Sequence, residues 1–137
     1  MSSPLASTKR PEFRNIHVTQ IIRYRLPVGG FASFLHRASG ALMFLALPLL
    51  LWLFDLSLTS EASYARLSAL FSTWFAKLIL LGLTWALLHH LAAGVRHLLL
   101  DLHIGIEKNA AERSAWVVYL ISLPLTLVAA LKLFGVF

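Results

Sequence analysis

Residues 78–95 read LILLGLTWALLHHLAAGV, 18 positions without a charge between Lys77 and Arg96. As a helix this run rises about 27 Å, close to the ~30 Å hydrocarbon core of a bilayer. Working outward, Ala38 to Phe54 is a second uncharged run of 17 residues, and residues 114–131 form a third of 18, between Arg113 and Lys132. Membrane strands are only about 9–11 residues long and alternate in polarity, and these runs do neither. Three transmembrane helices are therefore expected, over about 31–58, 67–100 and 113–136. Pro48 and Pro124 fall inside the first and third, where a kink is expected.

The composition agrees. The chain has 137 residues, 58% hydrophobic and 13% charged, with a mean hydropathy of +0.76. Soluble domains are about half apolar but about a quarter charged. This excludes a water-soluble enzyme, a disordered chain and a coiled coil. With no cysteine, disulfides, thiolate zinc sites, iron–sulfur ligation and thiol nucleophiles are excluded within the chain.

The charges are uneven. Lys9, Arg10, Arg14, Arg23, Arg25 and Arg37 are six of the 12 basic residues, and only Glu12 opposes them in that stretch. A basic segment before an apolar run places itself on the cytoplasmic side. Arg96, Lys108 and Arg113 then also fall inside, Arg66 and Lys132 outside, and Lys77 within the membrane. Nucleic acid is not the expected partner, because these residues mark membrane sides rather than one face of a soluble fold. The expected organisation is a cytoplasmic N-terminal arm, 1–30, and a transmembrane anchor domain, 31–137. The first apolar run lacks an A-x-A cleavage pattern and reads as a retained span. A bacterial inner membrane is expected in preference to a mitochondrial one. Trp74, Trp116 and Tyr119 fall near span ends, where amphipathic rings favour the headgroup region.

An ionisable residue inside a span is a functional candidate by default. The second span carries His89, His90, Gly94, Arg96, His97 and Asp101. His90 and His97 lie seven apart, on one helical face and about 10 Å apart along it, with Gly94 on the same side. A neutral imidazole there can ligate haem iron, Gly94 can admit a flat macrocycle, and Arg96 and His97 can meet its propionates. The same stripe can serve as a proton relay, or simply as polar packing between helices. His89 offers a second imidazole beside His90. At the cytoplasmic end of the first span, Ser33 and Arg37 share a face, with His36 between them. Hydroxyl and guanidinium can hydrogen-bond a quinone carbonyl, or Arg37 can snorkel to lipid phosphates while Ser33 caps the helix. Asp101 can pair with Arg96 or Arg113.

Together the two clusters resemble the cytochrome b membrane-anchor subunits of succinate dehydrogenase, respiratory complex II. That family's first motif is R-P, a variable arm, then S-x-x-H-R-x-[ST]-G, here Arg10-Pro11 and Ser33-Phe34-Leu35-His36-Arg37-Ala38-Ser39-Gly40. Its second is H-x-x-x-G-[IV]-R-H-x-x-x-D, here His90-Leu91-Ala92-Ala93-Gly94-Val95-Arg96-His97-Leu98-Leu99-Leu100-Asp101. The resemblance covers nearly the whole chain, with both motifs in order.

The resemblance implies an all-α membrane protein whose three helices form half of a haem b-binding bundle. His90 would be one axial ligand, and a second membrane-anchor subunit would supply the other. His36, Arg37 and His97 would lie near the haem propionates, which with Arg96 from the spacing makes four haem-binding candidates. Ser33 and Arg37 would belong to the ubiquinone pocket beside the iron–sulfur subunit. Succinate would be oxidised on the flavoprotein subunit. FAD and the iron–sulfur clusters would be held only by those partners. Two alternatives stand beside this: an anchor of a quinol:fumarate reductase, and a haem-free assembly or anchor protein.

Overall fold

The computed structural model describes residues 26–136. Arg10-Pro11, His17 and most of the basic arm lie outside the described residues. Among the described residues four helices follow one another: α1 (Val28–Thr59), α2 (Glu61–Ser72), α3 (Trp74–Asp101) and α4 (Lys108–Leu133). There is no strand among the described residues. α1, α3 and α4 are each long and apolar enough to cross a membrane, so the chain is a multi-pass, all-α membrane protein.

α1 has 32 residues and is about 48 Å long, so it outreaches the hydrocarbon core or crosses it tilted. Pro48 sits within it without ending it, as proline in membrane helices commonly does. The segment after α1 was expected to be an external loop running to Arg66, with the next span starting near Leu67. It is instead helical, and the second span is divided at Thr73. The reason is local. Ser60 and Ser63 form a reciprocal capping box: Ser63 N–H donates to Ser60 Oγ and Ser60 N–H to Ser63 Oγ, both at 3.1 Å. Thr73 then leaves helical geometry (φ −68°, ψ 145°) and its hydroxyl caps α3 by accepting from Ala76 N–H at 3.4 Å.

The connection from α3 to α4 reverses the chain. His103 adopts a left-handed backbone (φ 61°) and Gly105 another (φ 74°), while His103 and Ile104 N–H groups return to the carbonyls of Leu100 and Leu99. The starts of α1 and α4 therefore lie beside the end of α3. At the other end, Trp74 packs on Phe134 with ring centroids 4.8 Å apart, and Lys77 Nζ stands 5.6 Å from the same ring.

The packing is inverted relative to a soluble domain. Apart from His89 and Arg96, the buried positions among the described residues are small: Ala32, Ser39, Ala76, Ala86, Ala93, Ala115, Val118 and Ser122. Large apolar side chains such as Phe44, Leu45, Leu91 and Leu120 point outward. Lipid tails are as apolar as leucine, so helices gain by close backbone approach over small residues.

Candidate functional site

The two sequence clusters meet across the α1–α3 seam. The His36 ring stacks on His90 with centroids 4.1 Å apart and 21° between planes, and His97 lies 4.9 Å from His36. The meeting is possible because position 40 has no side chain. A Cβ there would stand 2.8 Å from His90 Cε1, closer than real contacts allow. Gly94, expected to face a flat ligand, instead faces the His36 ring, with 3.6 Å between its would-be Cβ and His36 Nε2.

His90 is oriented by α1. Its Nδ1 lies 3.0 Å from the His36 main-chain carbonyl and 3.2 Å from Ser39 Oγ. A carbonyl oxygen only accepts, so Nδ1 carries the proton. Ser39 Oγ–H is already given to the same carbonyl at 2.9 Å, leaving the oxygen as an acceptor toward His90. The tautomer this selects leaves Nε2 with its lone pair. An imidazole whose second nitrogen donates to a backbone carbonyl is the usual arrangement of a metal-bound histidine. Among the described residues, no group of three His, Cys, Asp or Glu is arranged to hold a metal ion. A lone imidazole of this kind fits a haem iron, whose remaining ligands would come from outside this cluster. Ser39 (4% exposed) and Gly40 were not among the expected site residues. Their presence in the S-x-x-H-R-x-[ST]-G pattern is the signal that could have marked them.

His89 points elsewhere. It is fully buried between Trp85 and Tyr119, with centroids at 5.4 and 5.5 Å, and neither ring nitrogen has a hydrogen-bond partner among the described residues. Tyr119, expected as a headgroup anchor, packs inside the bundle on this histidine.

Ser33 and Arg37 share a face as expected. Arg37 Nε lies 3.4 Å from the Ser33 carbonyl and Nη2 3.5 Å from Ser33 Oγ. These contacts are at the outer limit of a hydrogen bond, so the exposed guanidinium is held loosely. Since Ser33 Oγ accepts from Arg37, its own proton remains available to a ligand.

Arg96 is not brought into the histidine cluster. One residue before His97, it is turned about 100° around the helix. Its Nε donates to Ser114 Oγ at 2.9 Å and Nη2 to the Ala111 carbonyl at 3.0 Å, both on α4. Its guanidinium also faces Gly29, two turns before His36 on α1. Asp101, expected as a possible partner of Arg96, is exposed, as is His103.

Residues 11–129 match a family described as succinate dehydrogenase/fumarate reductase transmembrane subunit. The succinate dehydrogenase cytochrome b556 subunit of Paracoccus denitrificans is 34% identical over 92 residues, 67% of this chain and 71% of the relative. The subunit of the same name from Coxiella burnetii is 32% identical over 117 residues, 85% and 90% of the two chains. That of Rickettsia felis is 29% identical over 119 residues, 87% and 89%.

Proposed function

This chain belongs to the succinate dehydrogenase/fumarate reductase transmembrane-subunit family as a cytochrome b anchor subunit, and we propose that it supplies one axial haem ligand and part of the quinone site of a succinate:quinone oxidoreductase. The observation that carries this reading is the bond from His90 Nδ1–H to the His36 carbonyl, which leaves Nε2 with its lone pair. His90 would hold the iron of haem b, with His36, Arg37 and His97 toward the propionates. Haem b, when bound, supplies one-electron redox capacity. A second membrane-anchor subunit would provide the opposite ligand.

The remaining chemistry of this chain is binding and charge. Ser33 Oγ–H would donate to a quinone carbonyl, here taken as ubiquinone. Arg37 would favour the negative charge that reduction places on the quinone oxygens, and its loose geometry lets it turn to the ligand without breaking a strong bond. The arm, 1–30, would lie in the cytoplasm of a bacterial cell with the anchor domain, 31–137, in the inner membrane. Both would meet the iron–sulfur subunit there, and the flavoprotein would sit beyond it.

The test is a reduced-minus-oxidised spectrum of the intact complex in detergent, with and without His90→Ala. Loss of the b-type band in an assembled mutant complex is expected. An unchanged band would overturn the ligand assignment.

A further inference from the structure

Arg96 is only 8% exposed, yet its hydrogen-bond partners among the described residues, Ser114 Oγ and the Ala111 carbonyl, are both neutral. A buried charge held this way leaves its electrostatic demand unmet, because neutral acceptors replace only part of lost hydration. Two further sources of positive potential converge on it. α1 begins at Pro27–Val28 and α4 at Glu107–Lys108; neither N-terminus has a side-chain cap hydrogen bond, and the one acid at these helix starts, the N-cap Glu107, does not line the cavity between them. Uncapped N-terminal amides favour an anion. A cavity of about 220 Å³ lies between these helix starts, lined by Pro27, Gly29, Arg96, Lys108, Ala111 and Glu112. Its two cations outnumber its one carboxylate, and Glu112 is exposed.

Arg96 also lines a second, apolar groove of about 440 Å³ that runs along α3 and α4 past Val95, Leu99, Val117, Ile121 and Leu125. A buried guanidinium thus joins a small cationic cavity at the membrane's edge to a long apolar channel within it. We infer that this is a binding site for an anionic glycerophospholipid, with its phosphate between Arg96 and Lys108 and one acyl chain in the α3–α4 groove. A free anion would use the cavity and leave the groove without purpose. A neutral lipid would use the groove and leave the guanidinium charge uncompensated.

The test is native mass spectrometry of the intact complex, delipidated and then incubated with dioleoyl phosphatidylglycerol or dioleoyl phosphatidylcholine. Both lipids carry the phosphate, but phosphatidylcholine brings its own ammonium against Arg96 and Lys108, so the complex is expected to retain the anionic lipid at least about tenfold more, about 1.4 kcal/mol. Lys108→Gln should reduce that preference, and Ile121→Trp, which fills the groove, should reduce retention altogether. Neither change should alter the haem spectrum, so failure here is separable from failure of the haem reading. Arg96→Gln adds the strongest effect if the complex assembles, and the other two variants decide the question if it does not. Equal retention of the two lipids, or retention indifferent to both variants, would overturn the proposal. So would a wild type that retains no phosphatidylglycerol.

Discussion

The imidazole of His90 lies in the space that Gly40 leaves: a Cβ at position 40 would stand 2.8 Å from His90 Cε1 and 3.3 Å from Nδ1. This contact ties the two sequence motifs together, because the glycine of one admits the histidine of the other.

Gly40→Ala is therefore expected to push the His90 ring off its hydrogen bonds to α1. The b-type band should shift or fall in intensity, with the complex still assembled. Gly94→Ala is the control, since its Cβ would meet His36 Nε2 at an ordinary 3.6 Å. A comparison of the two spectra checks this. Equal effects would show that crowding at His90 is not what position 40 prevents.

The two adjacent histidines should separate cleanly. His90→Ala removes the oriented imidazole, whereas His89→Leu replaces a fully buried ring whose nitrogens have no described partner. Removing unsatisfied polar atoms is neutral or stabilising when the shape is kept. His89→Leu is expected to keep the band and to leave thermal stability unchanged or raised. A bandless His89→Leu complex would move the ligand assignment to His89.

Ser39→Ala takes away one of the two contacts to His90 Nδ1 while the His36 carbonyl remains. Loss of such an orienting partner typically weakens metal binding by about 10–100-fold. Haem should dissociate more readily from the variant, measured as transfer to an apo-globin acceptor.

For the quinone reading, Arg37→Ala and Ser33→Ala should each lower quinone reduction without lowering succinate oxidation by an artificial acceptor. Loss of one charge-assisted hydrogen bond of about 1.5–3 kcal/mol corresponds to roughly a 10–150-fold fall. Arg37→Lys should recover part of it, because charge returns without the fork. Wild-type quinone kinetics in both alanine variants would remove these residues from the site.

At the opposite end, Ser60→Ala breaks the reciprocal cap with Ser63. A cost of about 1 kcal/mol is expected for such a cap. Amide exchange in α2 should quicken while the haem spectrum stays constant.

Much of this architecture is legible in the amino-acid order, and the limits have physical causes. The spans follow from uninterrupted apolarity, which needs no knowledge of neighbours. The break at Thr73 does not, because a hydropathy reading passes over a hydroxyl that caps a helix. His90 and His97 share a face by helix geometry alone, but the ring that stacks between them, His36, comes from another helix. Its approach depends on Gly40. Arg96 shows the other limit: sequence adjacency to His97 suggested a shared ligand, yet the turn of one residue sends its side chain to α4. His89 and His90 are equivalent as letters and differ only in which helix each one faces.

The small-inside, large-outside packing reverses the usual rule for substitution. Positions such as Phe44, Leu45 and Leu120 tolerate other apolar residues wherever they face lipid. Ala32, Ala86, Ala93 and Ala115 have no such latitude, because each added methyl would separate two backbones. In this chain the residues with least chemistry set the distance between helices, and with it the distance between His36 and His90.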